Sequence, residues 1–342
     1  MKSGNKQPGK EPMHERLIEI VERFPACRLA VIGDLIADQF LYGETSRVSR
    51  EAPVLVLKYR EILRVPGGAA NAANNLLDLG CRVTIVGAVG EDAAGAELLD
   101  LLAKKGADVR HVSRLKNYAT PIKTRILAGA HHSQPQQIVR VDRETPLAPA
   151  LIRDLSRIGR KIGKLHGIVI SDYGFGSANP SVLREIASFA RSEIPRIVDS
   201  RFRMAEYHGA TSITPNITEL EAATGTAIDG NQELLHRIAR RVLSKQKLGS
   251  LLVTQGRFGM TLVQPSARPI HIPIYGTDEV ADVTGAGDTV IAVFTAALAS
   301  GGSPEEAARL ANYAGGIVVM KRGTATVSRE ELSSAVKRDL ST

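Results

Sequence analysis

Residues 282–289 read Asp-Val-Thr-Gly-Ala-Gly-Asp-Thr, two acids six positions apart around glycines that leave the backbone nearly bare. The run that follows, residues 289–300, is apolar almost all round, the pattern of a buried helix, and Gly301 and Gly302 close it. Gly285, Ala286 and Gly287 therefore fall at a helix N-terminus, where unpaired amides and the helix dipole favour an anion. Asp288 at that end would repel a bound phosphate unless it handles a proton. A general base fits there, taking the hydrogen from a hydroxyl that attacks phosphorus while the amides stabilise the transferring group. A helix cap with a tight turn uses the same residues, so spacing alone leaves both readings open.

Short β-branched runs alternate with helical stretches, the sequence form of a mostly parallel sheet flanked by helices on both faces. The strand candidates are 28–34, 82–90, 166–174, 195–200, 211–216 and 250–256, and their apolar runs end at Asp34, Gly87, Asp172, Asp199, Asn216 and Thr254. Ligands of open α/β sheets bind outside the carboxyl ends of the strands, so these residues are expected to converge on one crevice. Segments of about 38–65 and 118–143 break the rhythm and are too long for βα loops. They predict a small β-sheet lid over the crevice, with edges that invite pairing with a second copy and hence a homodimer.

The 342 residues carry a net charge of +8, but the cations are scattered and aromatic residues make up only 4% of the chain, which argues against a nucleic-acid surface. An anionic small molecule is the expected partner. No stretch reads as a membrane span or signal peptide, so the expectation is a cytoplasmic protein. Residues 1–14 read as a disordered polar tail and 15–342 as one domain. Cys27 and Cys81 have no metal-ligand or CxxC spacing and read as structural; His131 and His132 read as solvated loop residues.

Asp-Val-Thr-Gly-Ala-Gly-Asp-Thr resembles the second signature of the ribokinase-like (PfkB) sugar kinases, and residues 66–80, Pro-Gly-Gly-Ala-Ala-Asn-Ala-Ala-Asn-Asn-Leu-Leu-Asp-Leu-Gly, resemble the first. The likeness extends from about residue 28 to about residue 330, nearly all of the chain. Segments such as 31–54, 120–128, 136–142, 170–176 and 214–222 are similar to the heptose 7-phosphate kinases within that family. The resemblance implies a ribokinase-like fold, ATP and Mg²⁺ as cofactors, Asp288 as base and Gly285, Ala286 and Gly287 as anion hole. It implies sugar contacts at Asp34, Asp38, Gly67, Gly68 and Asn71, with Asp172 facing the substrate. Lys123, Arg125 and Arg140 are the candidates for a distal phosphate, although alternating strands would also place such residues in solvent.

Asn216-Ile217-Thr218-Glu219 matches the family's N-x-x-E motif, implying that Asn216 and Glu219 hold Mg²⁺ and nucleotide phosphates through water. An amide and a carboxylate suit that hard cation, and the same pair is an ordinary helix-capping pattern. The adenine end is expected at Thr254, Gly256 and Asn312. Two stretches depart from the heptose kinase pattern: Asp199-Ser200-Arg201, which bears on a phosphate or nucleotide contact, and Ser49-Arg50-Glu51-Ala52-Pro53, which adds a charge expected beside the sugar. The chain has no H-x-G-H, so of the two activities found in many relatives only the kinase half is expected. A kinase for another sugar or sugar phosphate, and a non-catalytic sugar-binding regulator on the same fold, are the alternatives; the Asp288 and N-x-x-E set argues against the regulator.

Overall fold

The computed structural model describes residues 10–129, 135–147, 164–189, 193–276 and 281–339. Its centre is β1 (Arg28–Gly33), whose residues after Arg28 are all buried. Leu29 and Val31 face one apolar cluster and Ala30 and Ile32 the other, as alternation requires of a strand covered on both sides. Parallel β4 (Arg82–Gly90) and β8 (Gly167–Asp172) flank it, with Val31 opposite both Ile85 and Val169. The sheet continues through β5 (Asp108–Leu115) on one side, and through β9 (Arg196–Ser200), β10 (Ser212–Ile213), β11 (Ser250–Thr254), β12 (Met260–Val263) and β13 (Ile270–Ile272) on the other. Only β12 and β13, joined by antiparallel pairings at the edge, depart from the parallel pattern.

One face is packed by α1 (Lys10–Glu22), α2 (Ala69–Asp78), α3 (Ala93–Lys104), α7 (Ala286–Ala299), α8 (Pro304–Val319) and α9 (Arg329–Asp339). On the other lie α4 (Pro180–Phe189), α5 (Ile217–Thr224) and α6 (Gln232–Gln246). The chain order reverses at β1, which opens a crevice at its carboxyl end.

There the chain leaves the main sheet. β2 (Leu35–Val48) and β3 (Leu55–Gly68) form a long antiparallel hairpin, and β6 (Ile122–Gly129) and β7 (Gln136–Arg143) extend it to a four-stranded lid in the order β3-β2-β6-β7. The two expected lid segments thus join into one sheet.

Several expectations need correction. Helix α1 starts at Lys10, inside the expected tail, because Leu17, Ile20 and Val21 give it an apolar face in the core; residues 1–9 lie outside the described residues, as do His131 and His132. Gly87 is interior to β4, which runs on to Gly90. Strands β5 and β12 were not anticipated: β5 is a half-buried edge with charges along it, and β12 has only four residues. Cys27 and Cys81 are buried free thiols.

Candidate active site

Asp288 lies at the start of α7 and is 3% exposed. Its Oδ2 accepts from Asn71 Nδ2 and its Oδ1 from the Tyr173 hydroxyl, each at 3.0 Å. Burial, more than any other cause, pushes its pKa up to about 7, against the pull of these two donors and of the Lys123 charge. A carboxylate poised near neutrality suits a general base. Asn71 is itself held: Asn75 Nδ2 donates to its side-chain and backbone oxygens at 3.2 and 3.0 Å, and Thr289 Oγ1 reaches Asn75 Oδ1 at 3.0 Å. Asn71 therefore orients Asp288, where a sugar contact was expected of it. Asn75 went unnoticed, though it stands four residues from Asn71 on the same helical face.

Gly285 precedes α7 with φ of 78°, in the left-handed region, and a methyl group there would sit 2.5 Å from Asn71 Nδ2. The motif thus needs glycine both for the turn and for the approach of the amide to Asp288. Ala286 N–H is taken by the Val283 carbonyl at 3.2 Å, which corrects its expected place among the anion donors. The next two amides of the helix start, those of Gly287 and Asp288, remain to face an anion.

Asp38 and the lid cations form a second cluster. Arg125 Nη1 donates to Asp38 Oδ1 at 2.7 Å and Thr324 Oγ1 to Oδ2 at 2.8 Å. Gly67 lies bare against this carboxylate, since a methyl group there would come within 2.6 Å of Asp38 Oδ2; Gly68 follows as the residue before α2. Lys123 sits 4.5 Å from the centre of the Tyr173 ring, and burial lowers its pKa against the charge of Asp38. In register, Asp38 faces Lys123 and Lys123 faces Asp142, so Asp38, Lys123, Arg125 and Arg140 share one face of the lid. Arg140, on the outer strand, is half exposed and paired with Asp142.

Asp34 and Asp172 lie beneath the site, where sugar contacts were expected. Asp34 is fully buried and accepts the amides of Tyr173, Phe175 and Ser177 at 2.8–3.0 Å. Burial raises its pKa to about 6, with the Asp172 charge adding to it. Asp172 is bound by Ser200, Tyr207, Arg203 and the Gly174 amide. With their oxygens committed internally, both build the floor.

Asn216 and Glu219 form a reciprocal cap on α5, so the capping reading is realised. Glu219 nonetheless stands near Asp199, and burial together with the Glu219 charge holds Asp199 well above the usual carboxylate range. Asp199 also faces the start of α7, because a methyl group on Gly287 would lie 3.8 Å from its Oδ2. Asp199 and Glu219 repel each other beside the anion-binding turn, an arrangement that a hydrated cation would relieve. Burial raises the pKa of Glu219 and lowers that of Lys123, and the Arg201 charge opposes the first and adds to the second, so it acts on both halves of the site.

Beyond Gly287 a cavity of about 320 Å³ is lined by Thr254, Gly256, Asn312 and Gly316, among others. It adjoins one of about 420 Å³ lined by Asn216, Ile217, Thr218 and Gly256. Of the residues expected at the nucleotide, all but Glu219 line these adjoining cavities, which end at the helix start. Ala286 and Gly287 line that end, one residue before Asp288.

The model of the pfkB family carbohydrate kinases matches residues 27–157 and 161–331. The chain belongs to that family. It is an ATP-dependent carbohydrate kinase, and the two segments that resemble the family's signatures, 66–80 and 282–289, meet where Asn71 donates to Asp288. Among curated relatives, the bifunctional protein HldE of Geobacter sulfurreducens is 44% identical over 90% of this chain and 62% of its own length. That of Trichlorobacter lovleyi is 41% identical over 95% of this chain and 66% of its own length. The chain therefore spans just under two thirds of these relatives. Among solved structures, phosphofructokinase-2 of Escherichia coli in complex with potassium superposes with a TM-score of 0.73 at 21% identity, covering 92% of this chain and 99% of that one. Arabidopsis thaliana ribokinase complexed with ribose and ATP gives 0.69 at 21% identity, covering 91% and 99%. These last two establish the ribokinase-like fold of the kinase. Among the described residues no helix is long and apolar enough to cross a membrane.

Proposed function

We propose that this kinase transfers the γ-phosphate of ATP to the anomeric hydroxyl of D-glycero-D-manno-heptose 7-phosphate, giving the 1,7-bisphosphate, a precursor of ADP-heptose for lipopolysaccharide. The observation that carries it is the double-sided placement of Asp288, with lid cations and Asp38 on one side and the nucleotide cleft on the other. The HldE relatives and the resemblance to heptose 7-phosphate kinases support the choice of sugar.

In this reading Asp38 and Arg125 bind sugar hydroxyls, and Lys123, with Arg140 at the lid's outer strand, meets the distal phosphate. Asp288 takes the hydroxyl proton as the oxygen attacks phosphorus, and the Gly287 and Asp288 amides donate to the transferring group. Glu219, Asp199 and Asn216 would hold Mg²⁺, largely through water; when bound it neutralises charge on the nucleotide phosphates. The lid keeps water from the phosphoryl group. A homodimer through the lid is part of the same reading. Ile62, Leu41, Ile126 and Val139 align across all four lid strands on the face turned away from Asp38, and Ile62 and Val139 are exposed.

The test is ADP release with ATP and Mg²⁺ across the heptose 7-phosphate, the unphosphorylated heptose, ribose and fructose 6-phosphate. Strong preference for the first is expected. Turnover of a different sugar discards the heptose assignment, and sugar binding without turnover brings the regulator forward. Asp288→Asn is expected to lower kcat by about 10²–10⁴-fold; unchanged phosphoryl transfer would end the mechanism.

A further inference from the structure

Tyr173 follows β8 in a loop whose amides at 173, 175 and 177 are gathered onto the buried Asp34 carboxylate. That anchorage fixes the phenol. Its hydroxyl donates to Asp288 Oδ1 at 3.0 Å, and the Lys123 ammonium, carried by lid strand β6, sits 4.5 Å from the centre of its ring. We propose that Tyr173 is a positioning residue that fixes the base and couples it to the lid through Lys123. This rests on the reading of Asp288 as base.

The phenol is held firmly in its protonated form. Burial raises its pKa well above the usual tyrosine range, and the charges of Asp288, Asp199 and Asp38 act the same way. It therefore donates at every working pH. A hydrogen bond to an ionised acceptor is stronger than one between neutral groups, so the contact favours the carboxylate form of Asp288. A cation over the ring withdraws density from the phenol and strengthens its O–H as a donor. Displacing the lid would remove Lys123 from the ring, leaving Asp288 with a weaker donor and a greater affinity for protons. The groups facing Asp288 are Asn71, Tyr173, Asp38 and Lys123, with the Asp199 charge acting from β9, so the acid limb of activity reports on this cluster.

The experiment is a ¹³C carboxyl titration of the whole protein, the Asp288 signal identified by its loss in Asp288→Asn. Tyr173→Phe is expected to raise the Asp288 midpoint by about one pH unit, with the acid limb of kcat/KM moving equally and the melting temperature nearly unchanged. Replacement of Tyr173 by 3-fluorotyrosine, a stronger donor of the same shape, should move the midpoint down. A midpoint that ignores both changes overturns the positioning role. Lys123→Met should raise the midpoint more in the native background than in Tyr173→Phe; equal shifts would overturn the coupling through the ring. Full phosphoryl transfer by Asp288→Asn, together with these midpoint shifts, would discard the base and leave the contact standing.

Discussion

Among the buried aspartates gathered at one end of the sheet, the partners of Asp288, Asp38 and Asp34 divide their duties. Asp288 has two side-chain donors, Asp38 an arginine and a threonine, and Asp34 three backbone amides. Asp34→Ala would orphan those amides, at roughly 1–3 kcal/mol each before relaxation. A loss of about 3 kcal/mol or more is expected from urea unfolding, with the site disordered as well. For Asp288, activity requires the ionised form, so kcat/KM should fall about tenfold per pH unit below about pH 7. Its stability effect has the opposite sense. A raised native pKa means that the folded state binds more protons than the unfolded one between the ordinary carboxylate range and about 7, so stability falls as pH rises through that window. Asp288→Asn should therefore gain on the native protein between pH 4 and pH 8, by about 2 °C or more in melting temperature. The turn that carries Asp288 was legible because its motif is local. Asp34 was misassigned because a strand-end aspartate looks the same whether it meets sugar or backbone, and only the returning 173–177 loop distinguishes them.

Helix starts carry the site at the next scale. The reciprocal Asn216–Glu219 cap means that the motif serves the fold, beside the nucleotide role proposed for it. Glu219→Gln can keep both capping bonds while removing the charge, so unfolding should be almost unchanged while the apparent KM for Mg²⁺ rises about tenfold. Asn216→Ala should cost about 1 kcal/mol of stability as well. If both substitutions affected stability alone, capping would be their whole role. At α7, Gly285→Ala would strain a left-handed turn and push Asn71 from Asp288; a kcat loss of about 10²-fold or more is expected. That pairing of two glycine motifs, 214 residues apart in sequence, was hidden until α2 and α7 came side by side.

Across the whole molecule the crevice follows from strand order, and the lid from two insertions that meet. Arg50 was expected to add a charge beside the sugar, but it lies in the exposed turn of the β2–β3 hairpin. Val48, near that turn, is ten residues along β2 from Asp38, about 33 Å of extended strand. The outer lid face offers the apolar row for a second copy. Ile62→Lys or Val139→Lys should convert the proposed dimer to monomer in sedimentation velocity, because a buried unpaired charge is costly at such an interface. A native protein that sediments as a monomer would discard the dimer.

The sequence by itself determined the alternation that makes a two-faced sheet, the buried helix after Gly285, the two lid segments and the turn that carries Asp288, since each is written in residues close together along the chain. Tertiary structure alone decided that Asn71 and Tyr173 grip Asp288, that Asp34 and Asp172 turn inward, and that Asp199 confronts Glu219. Those relations join distant segments. Their physics is burial and charge at a few ångströms, set only when the strands are in register.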